Sequence, residues 1–364
     1  MKTGQNTISS FQLFSMIYIF RMVATFTYML RIRAPLESTD RAIMAIAYFV
    51  FSLLFALPVF LCIGKQPYNS VLTLAGTNRH KWTKPVAMYY AFTFIWAAGV
   101  AAARFSLFSG IVLLQQENLN IFIFVLLAVS IYCASKGLEP LARAGSVMSV
   151  LLFVSLILMT GTVIKDFDTL YLQPPLQSGL SAVIYQGFHS ACRNIETTSL
   201  LFTASHTKGN LRKGYLIWLV FFCVQLAALF LLVGGIAAEY GNLQMFPLYT
   251  LAALAKIGIL ERMDDLLTGV WVICALLKIA YLLHTSVAAI EEGFQNKYNR
   301  NKLLIAGGIL VFAANLFLSQ NIEFFGKFIA SPVNPVLFMI ATVVLPLLIF
   351  AKNRTKKTAV RGKT

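Results

Sequence analysis

Ten stretches of this chain are each long and apolar enough to cross a bilayer, and no other feature restricts its fold as strongly. A membrane-spanning helix needs about 20 predominantly apolar residues. The qualifying windows are 11–30, 41–63, 86–113, 119–135, 142–163, 179–204, 214–238, 264–286, 303–319 and 334–351. The gaps between them are short, so the expectation is one all-α polytopic membrane domain over residues 1–364, with no separate soluble domain. The composition agrees: 58% of the residues are hydrophobic and 12% charged, against about 45–50% and about 25% in soluble domains. An ordinary soluble protein and a disordered chain are both excluded. The first window is not a cleaved signal peptide, because it is long, carries Arg21 near its middle and lacks a small-residue cleavage motif.

The net charge of +16 would point to nucleic acid in a soluble protein. Here the basic residues sit mainly in the gaps between apolar windows, where they set orientation instead. The expected partner of this surface is the lipid bilayer, with no nucleic acid. With the N-terminus in the cytoplasm, cytoplasmic segments carry 19 Lys and Arg and outer segments carry seven. That excess predicts both termini inside and an even number of spans. The basic tail 352–364 reads as an orientation signal and an anchor to anionic lipid. Five cysteines, Cys62, Cys133, Cys192, Cys223 and Cys274, lie in or near apolar windows without a CxxC. They read as small buried side chains rather than metal ligands or disulfides, and no cofactor is expected. Of the two longest gaps, 64–85 contains Ser70 to Gly76, a re-entrant or interfacial piece. The other, 239–263, carries Leu251, Leu254, Ile257 and Leu260 at helical spacing. That spacing fits an amphipathic helix on the outer face, a candidate docking surface, or an extended start of span eight. Asp264 and Asp265 with Glu261 read as a solvated outer cluster.

Ionisable side chains inside a span are costly and face a cavity or a partner. Arg21, Arg104, Arg193, Lys278 and Glu196 are in this position. Arg193 and Glu196 are three apart on one helical face, a spacing that predicts a direct pair. Arg21 and Arg104 lack an obvious acidic partner within any span. They either snorkel to an interface or face backbone carbonyls, a helix end or a ligand carboxylate. Lys278 lies halfway along span eight, where its ammonium can stand in for a coupling cation. In the sixth window, residues 185–190 (YQGFHS) interrupt the apolar pattern. Gly187 among polar neighbours predicts a broken helix whose exposed backbone lines a cavity. Span one has a weaker interruption over Arg21 to Thr25, without Gly or Pro. Two inverted five-helix repeats, about 11–163 and 179–351, fit that spacing. No HExxH, GxSxG, Walker A or Cys/His constellation occurs, so an enzyme is not expected.

Four segments together resemble the endospore germination permease family, the polytopic B subunit of GerA-type germinant receptors. They are ISSFQLFSMIYIF (Ile8 to Phe20), KGLEPLARAGSV (Lys136 to Val147), the sixth window with Ile195 and Glu196 ahead of a basic loop, and the stretch from Phe246 to Leu283. The last, with Glu-Arg-Met-Asp followed by Trp271 and Lys278, is the strongest match. The resemblance implies the amino acid–polyamine–organocation superfamily and a LeuT-like 5+5 inverted-repeat fold. It also implies a role in sensing small nutrients, typically amino acids, in the inner spore membrane. By the same resemblance, this B-type subunit is expected to form the ligand pocket and to work with an A-type membrane subunit and a C-type lipoprotein subunit. Span one departs from the family: a Gly-containing break is usual there, and here the segment reads RMVATFT (Arg21 to Thr27).

The implied pocket lies near the bilayer midplane among spans one, three, six and eight. Its expected lining is Arg21, Ala24 and Thr25 from span one and Tyr185, Gln186, Gly187, Phe188 and His189 from span six, with Arg104 and Lys278 facing them. The backbone near Gly187 and one arginine would hold a carboxylate, and Tyr185 and Phe188 would shape the side-chain pocket. Three further readings stay open: a secondary amino-acid permease that moves its substrate, and an ion or water pathway opened during germination, with a membrane enzyme the most remote.

Overall fold

The apolar windows fold as helices, most of which begin or end a few residues beyond the predicted bounds. The computed structural model describes residues 7–27, 36, 38–64, 70–76, 80–113, 119–243, 245–255 and 264–352. The first half of the chain comprises α1 (Ser10–Phe26), α2 (Ser38–Ile63), the short α3 (Val71–Gly76), α4 (His80–Val112), α5 (Leu119–Ser135) and α6 (Leu138–Val163). The second comprises α7 (Leu180–Cys192), α8 (Ile195–Thr203), α9 (Leu211–Leu243), the short α10 (Pro247–Leu254), α11 (Asp264–Gly293), α12 (Arg300–Leu318), the short α13 (Ile322–Ala330) and α14 (Val333–Met339). A π-helical turn, Ile340–Val344, carries α14 on to Lys352. Pro346 cannot donate to the ladder there, and a wider turn accommodates it. Seven of these helices are long and apolar enough to span a bilayer. The 17-residue α1 and α5 and the broken pair α7–α8 match the other three predicted windows.

Packing sorts the helices by depth. The most apolar windows of α11 and α4 are 67% and 61% buried, whereas those of α2 and α12 are 33% buried. The first two are therefore interior and the second two face lipid. α11 packs on α4, α5, α6 and α1, while α2 packs on α7 and α9. The start of α1 is fixed by a capping box: the Ser9 hydroxyl accepts from the Gln12 N–H at 3.1 Å and the Ser9 N–H donates to Gln12 Oε1 at 2.9 Å. Beside it, β1 (Ile8–Ser9) pairs in parallel with β2 (Thr207–Lys208), tying the start of span one to the end of span six. In the first turn of α2, buried Asp40 accepts from the Leu176 and Ser178 N–H groups, both at 2.7 Å. This clamps the connection that leads into α7.

Several expectations change. Span six does break, but not at Gly187, which lies inside continuous α7. A Cβ at Gly187 would sit 2.5 Å from Ala47 Cβ and 3.0 Å from the Tyr48 nitrogen. This glycine therefore permits close approach of α2. The helix stops at Arg193 and Asn194, whose ψ values of 9° and 70° leave the α-region. Span one is helical through Arg21 to Phe26 and ends at Thr27. The 70–76 segment is the short helix α3, tucked against α4 with Val71 and Leu72 buried. Asp264 is not solvated: it is buried and accepts from the Tyr249 hydroxyl at 2.7 Å. α10 is docked through Leu248, Leu251 and Ala252, whereas Ile257, Leu260 and Glu261 lie outside the described residues. So do the tail from residue 353 and the loop cations Arg31, Arg33, Lys65, Arg79, Lys256 and Arg262.

Candidate functional site

A cavity of about 120 Å³ lies where the end of α1, the break between α7 and α8, and the middles of α4, α9 and α11 converge. That is smaller than a drug-sized pocket of about 300–1,000 Å³ and suits a molecule of a few non-hydrogen atoms. α8 makes this arrangement possible. All nine of its residues are buried although five are Glu, Thr or Ser. Such a helix needs polar partners on every side. It finds them in Tyr215 for Thr197, Thr342 for Thr198 and Tyr281 for Ser199.

Glu196, in the first turn of α8, organises the charge. Its Oε1 accepts from Lys278 Nζ at 2.8 Å, and the same ammonium donates to the Phe20 carbonyl at 2.9 Å. Lys278 thus ties α11 to both α1 and α8. The other oxygen, Oε2, lies 3.8 Å from Arg21 Nη1, beyond hydrogen-bond distance. The Arg21 guanidinium carbon stands 5.2 Å from the Tyr48 ring centroid and 5.7 Å from that of Phe222, a favourable setting for a cation. Arg104 Nη1 donates to the Ala24 carbonyl at 3.2 Å, close to the end of α1. The expected Arg193–Glu196 pair does not form: Glu196 turns to Lys278 and Arg21, while Arg193 Nε donates back to the His189 carbonyl at 3.3 Å. Three buried polar atoms of cavity-lining residues hold no hydrogen bond: Arg21 Nε, Glu196 Oε2 and Asn334 Nδ2.

Of the ten residues singled out from the sequence, Arg21, Ala24, Thr25, Arg104 and Lys278 line this cavity. The Thr25 hydroxyl donates to the Arg21 carbonyl at 3.0 Å. Tyr185, Gln186, Gly187, Phe188 and His189 lie one to two turns earlier in α7 and are absent from the lining. Tyr185 is 53% exposed on the lipid face, and Phe188 packs edge-on against Phe51 and Phe55. Gln186 and His189 are buried, with His189 beside the Tyr185 ring. From the same window it is Ser190, Arg193, Ile195 and Glu196 that reach the cavity. Glu196 is conspicuous in the sequence as an ionisable residue, but its partners are Lys278 and Arg21 rather than Arg193. Nothing in the sequence marks Asn334, the first residue of the tenth window, where it stands in a Pro-Val-Asn-Pro stretch.

Comparison with known proteins fits this architecture. The chain is similar in fold to a substrate-bound, outward-open Na⁺-coupled sialic acid symporter, with a TM-score of 0.57 and 14% identity, covering 94% of this chain and 82% of that one. A nucleobase-cation-symport-1 family transporter in a closed conformation with bromovinylhydantoin bound matches with a TM-score of 0.44 and 13% identity, covering 94% and 81%. No curated protein matches. The first likeness is one of fold, and the LeuT-like all-α membrane fold implied by the sequence resemblance is the one observed. The model of the spore germination protein family matches residues 7–324, nearly the whole of the ten-span core. The chain belongs to that family, the germination permeases, as a multi-pass, transporter-like membrane protein.

Proposed function

We propose that this chain binds a small nutrient germinant, an amino acid, in the cavity between α1, α4, α8 and α11. In this reading it passes the event to A-type and C-type germination receptor subunits in the inner spore membrane. One observation carries the reading. Arg21 Nε is a buried donor and Glu196 Oε2 a buried acceptor, each without a hydrogen bond, in side chains that form a loose ion pair at 3.8 Å on the cavity wall. A zwitterion supplies the complement of both: its carboxylate binds Arg21 and its ammonium binds Glu196. Charge-assisted hydrogen bonds of this kind are the strong ones. Lys278 supports sensing over Na⁺-driven uptake. Its own ammonium already serves the Phe20 carbonyl and Glu196 Oε1, so those oxygens need no cation from solution. Ligand binding biases an existing equilibrium between two arrangements of the repeats, and the partner subunits read the shift.

The test uses purified protein in liposomes with a panel of labelled amino acids, recording binding and time-dependent accumulation in the same samples. Saturable binding without accumulation, lost in Arg21→Met, is the expected result. Accumulation far beyond one ligand per protein, abolished when the ion gradient is collapsed, would make the chain an amino-acid permease instead.

A further inference from the structure

Asn334 is the second residue of α14, 1% exposed, with its side chain on the cavity wall. Its Oδ1 accepts from Trp96 Nε1 at 2.9 Å. An indole nitrogen only donates, so the amide oxygen must face Trp96 and the NH₂ group must point the other way. Trp96 is itself held: Phe92 stacks on it at 6.1 Å between centroids, and Phe328 packs edge-on at 5.6 Å. The amide is therefore oriented, yet its Nδ2 is buried without a hydrogen-bond partner. Native interiors rarely leave such a donor unmade unless something else arrives to accept from it. The nearby lining from the same end of the chain, Ile329 and Phe338, is apolar.

We propose that Asn334 is a specificity-determining residue whose fixed amide N–H binds a carbonyl or carboxylate oxygen of the ligand. The inference rests on the reading that this cavity is the ligand site. It adds a selection rule: the ligand must bring an acceptor oxygen to the wall formed by α4 and α14. Carboxylates such as amino acids satisfy it, whereas simple amines do not. Trp96 acts as a positioning residue, since it fixes which end of the amide faces the cavity.

Asn334→Asp is the informative variant. It keeps the size and the acceptor for Trp96 but replaces the donor with a second acceptor. Equilibrium binding of the labelled amino-acid panel, and of the matching decarboxylated amines, is measured in liposomes for the wild type, Asn334→Asp, Asn334→Leu, Trp96→Phe and Arg21→Met. The expected result is that Asn334→Asp weakens amino-acid binding by about ten-fold or more, as turning a buried donor against its acceptor does. Asn334→Leu weakens it as well, which covers the case in which a buried carboxylate impairs folding. Trp96→Phe has a smaller effect, because the donor survives unoriented, and the amines bind poorly to the wild type. Wild-type affinity in both Asn334 variants, with binding lost in Arg21→Met, would overturn the role of Asn334 and leave the cavity reading standing. Absence of amino-acid binding by the wild type would remove the cavity reading, and Asn334 with it.

Discussion

Glu196 is one carboxylate facing two cations inside the membrane, and that asymmetry decides which substitution hurts more. Its side chain is 1% exposed and that of Lys278 9%. Breaking a buried pair by removing one member typically costs about 3–5 kcal/mol, because the survivor is left uncompensated. Glu196→Gln strands both Lys278 and Arg21. Lys278→Met leaves Glu196 with Arg21 already at 3.8 Å, close enough to take over. The unfolding temperature in detergent is therefore expected to fall further for Glu196→Gln than for Lys278→Met, and the double variant should lie nearer the milder single. Equal losses in the two singles would contradict a shared carboxylate. At this scale the sequence was informative about identity and weak about pairing. A charge in an apolar window is conspicuous, which is why Arg21, Arg104 and Lys278 were found. Local spacing suggests pairing within one helix only, which points from Glu196 to Arg193. The true partners come from α1 and α11, 175 and 82 positions away in the chain.

The broken sixth span shows how an element can be recognised while its joint is misplaced. Glycine in an apolar stretch signals either a break or a close approach. Gly187 is the second kind, since a Cβ there would press on Ala47 at 2.5 Å. The actual joint carries a legible signal of its own: Asn194 directly before Ile195 and Glu196 has the form of a helix start with an acidic first turn. Its amide does not cap α8, however, and donates to the Tyr48 hydroxyl at 3.2 Å. Gly187→Ala is expected to lower stability by roughly 1–3 kcal/mol through overpacking of α2 on α7. Ligand affinity per folded molecule should stay near wild type, because the residue lies off the cavity. Denaturant or thermal titration with and without ligand separates the two quantities. A loss of affinity with unchanged stability would return Gly187 to the pocket.

At the scale of the whole molecule, the apolar windows carried most of the fold. Span count and order follow from hydrophobic length, and the described helices occupy the predicted windows, several with ends a few residues longer. The excess of Lys and Arg on alternate gaps, 19 against seven, predicts a direction as well: both termini in the cytoplasm. Packing is indifferent to that direction, so it needs its own experiment, and the chain offers a clean background for one. None of its five cysteines is in a disulfide among the described residues, and four of them are buried and Cys133 half-buried. A cysteine placed on an exposed loop therefore dominates labelling by a membrane-impermeant maleimide. Lys136, between α5 and α6, and Tyr171, between α6 and α7, are both exposed and lie at opposite ends of α6. The positive-inside arrangement puts Tyr171→Cys outside and Lys136→Cys inside. Intact cells should label the first, and the second only after permeabilisation. The reverse pattern would invert the molecule and turn the short β1–β2 pairing and the end of span six toward the outer face. The cavity, near the middle of the bundle, would keep its residues but change the side from which a ligand enters.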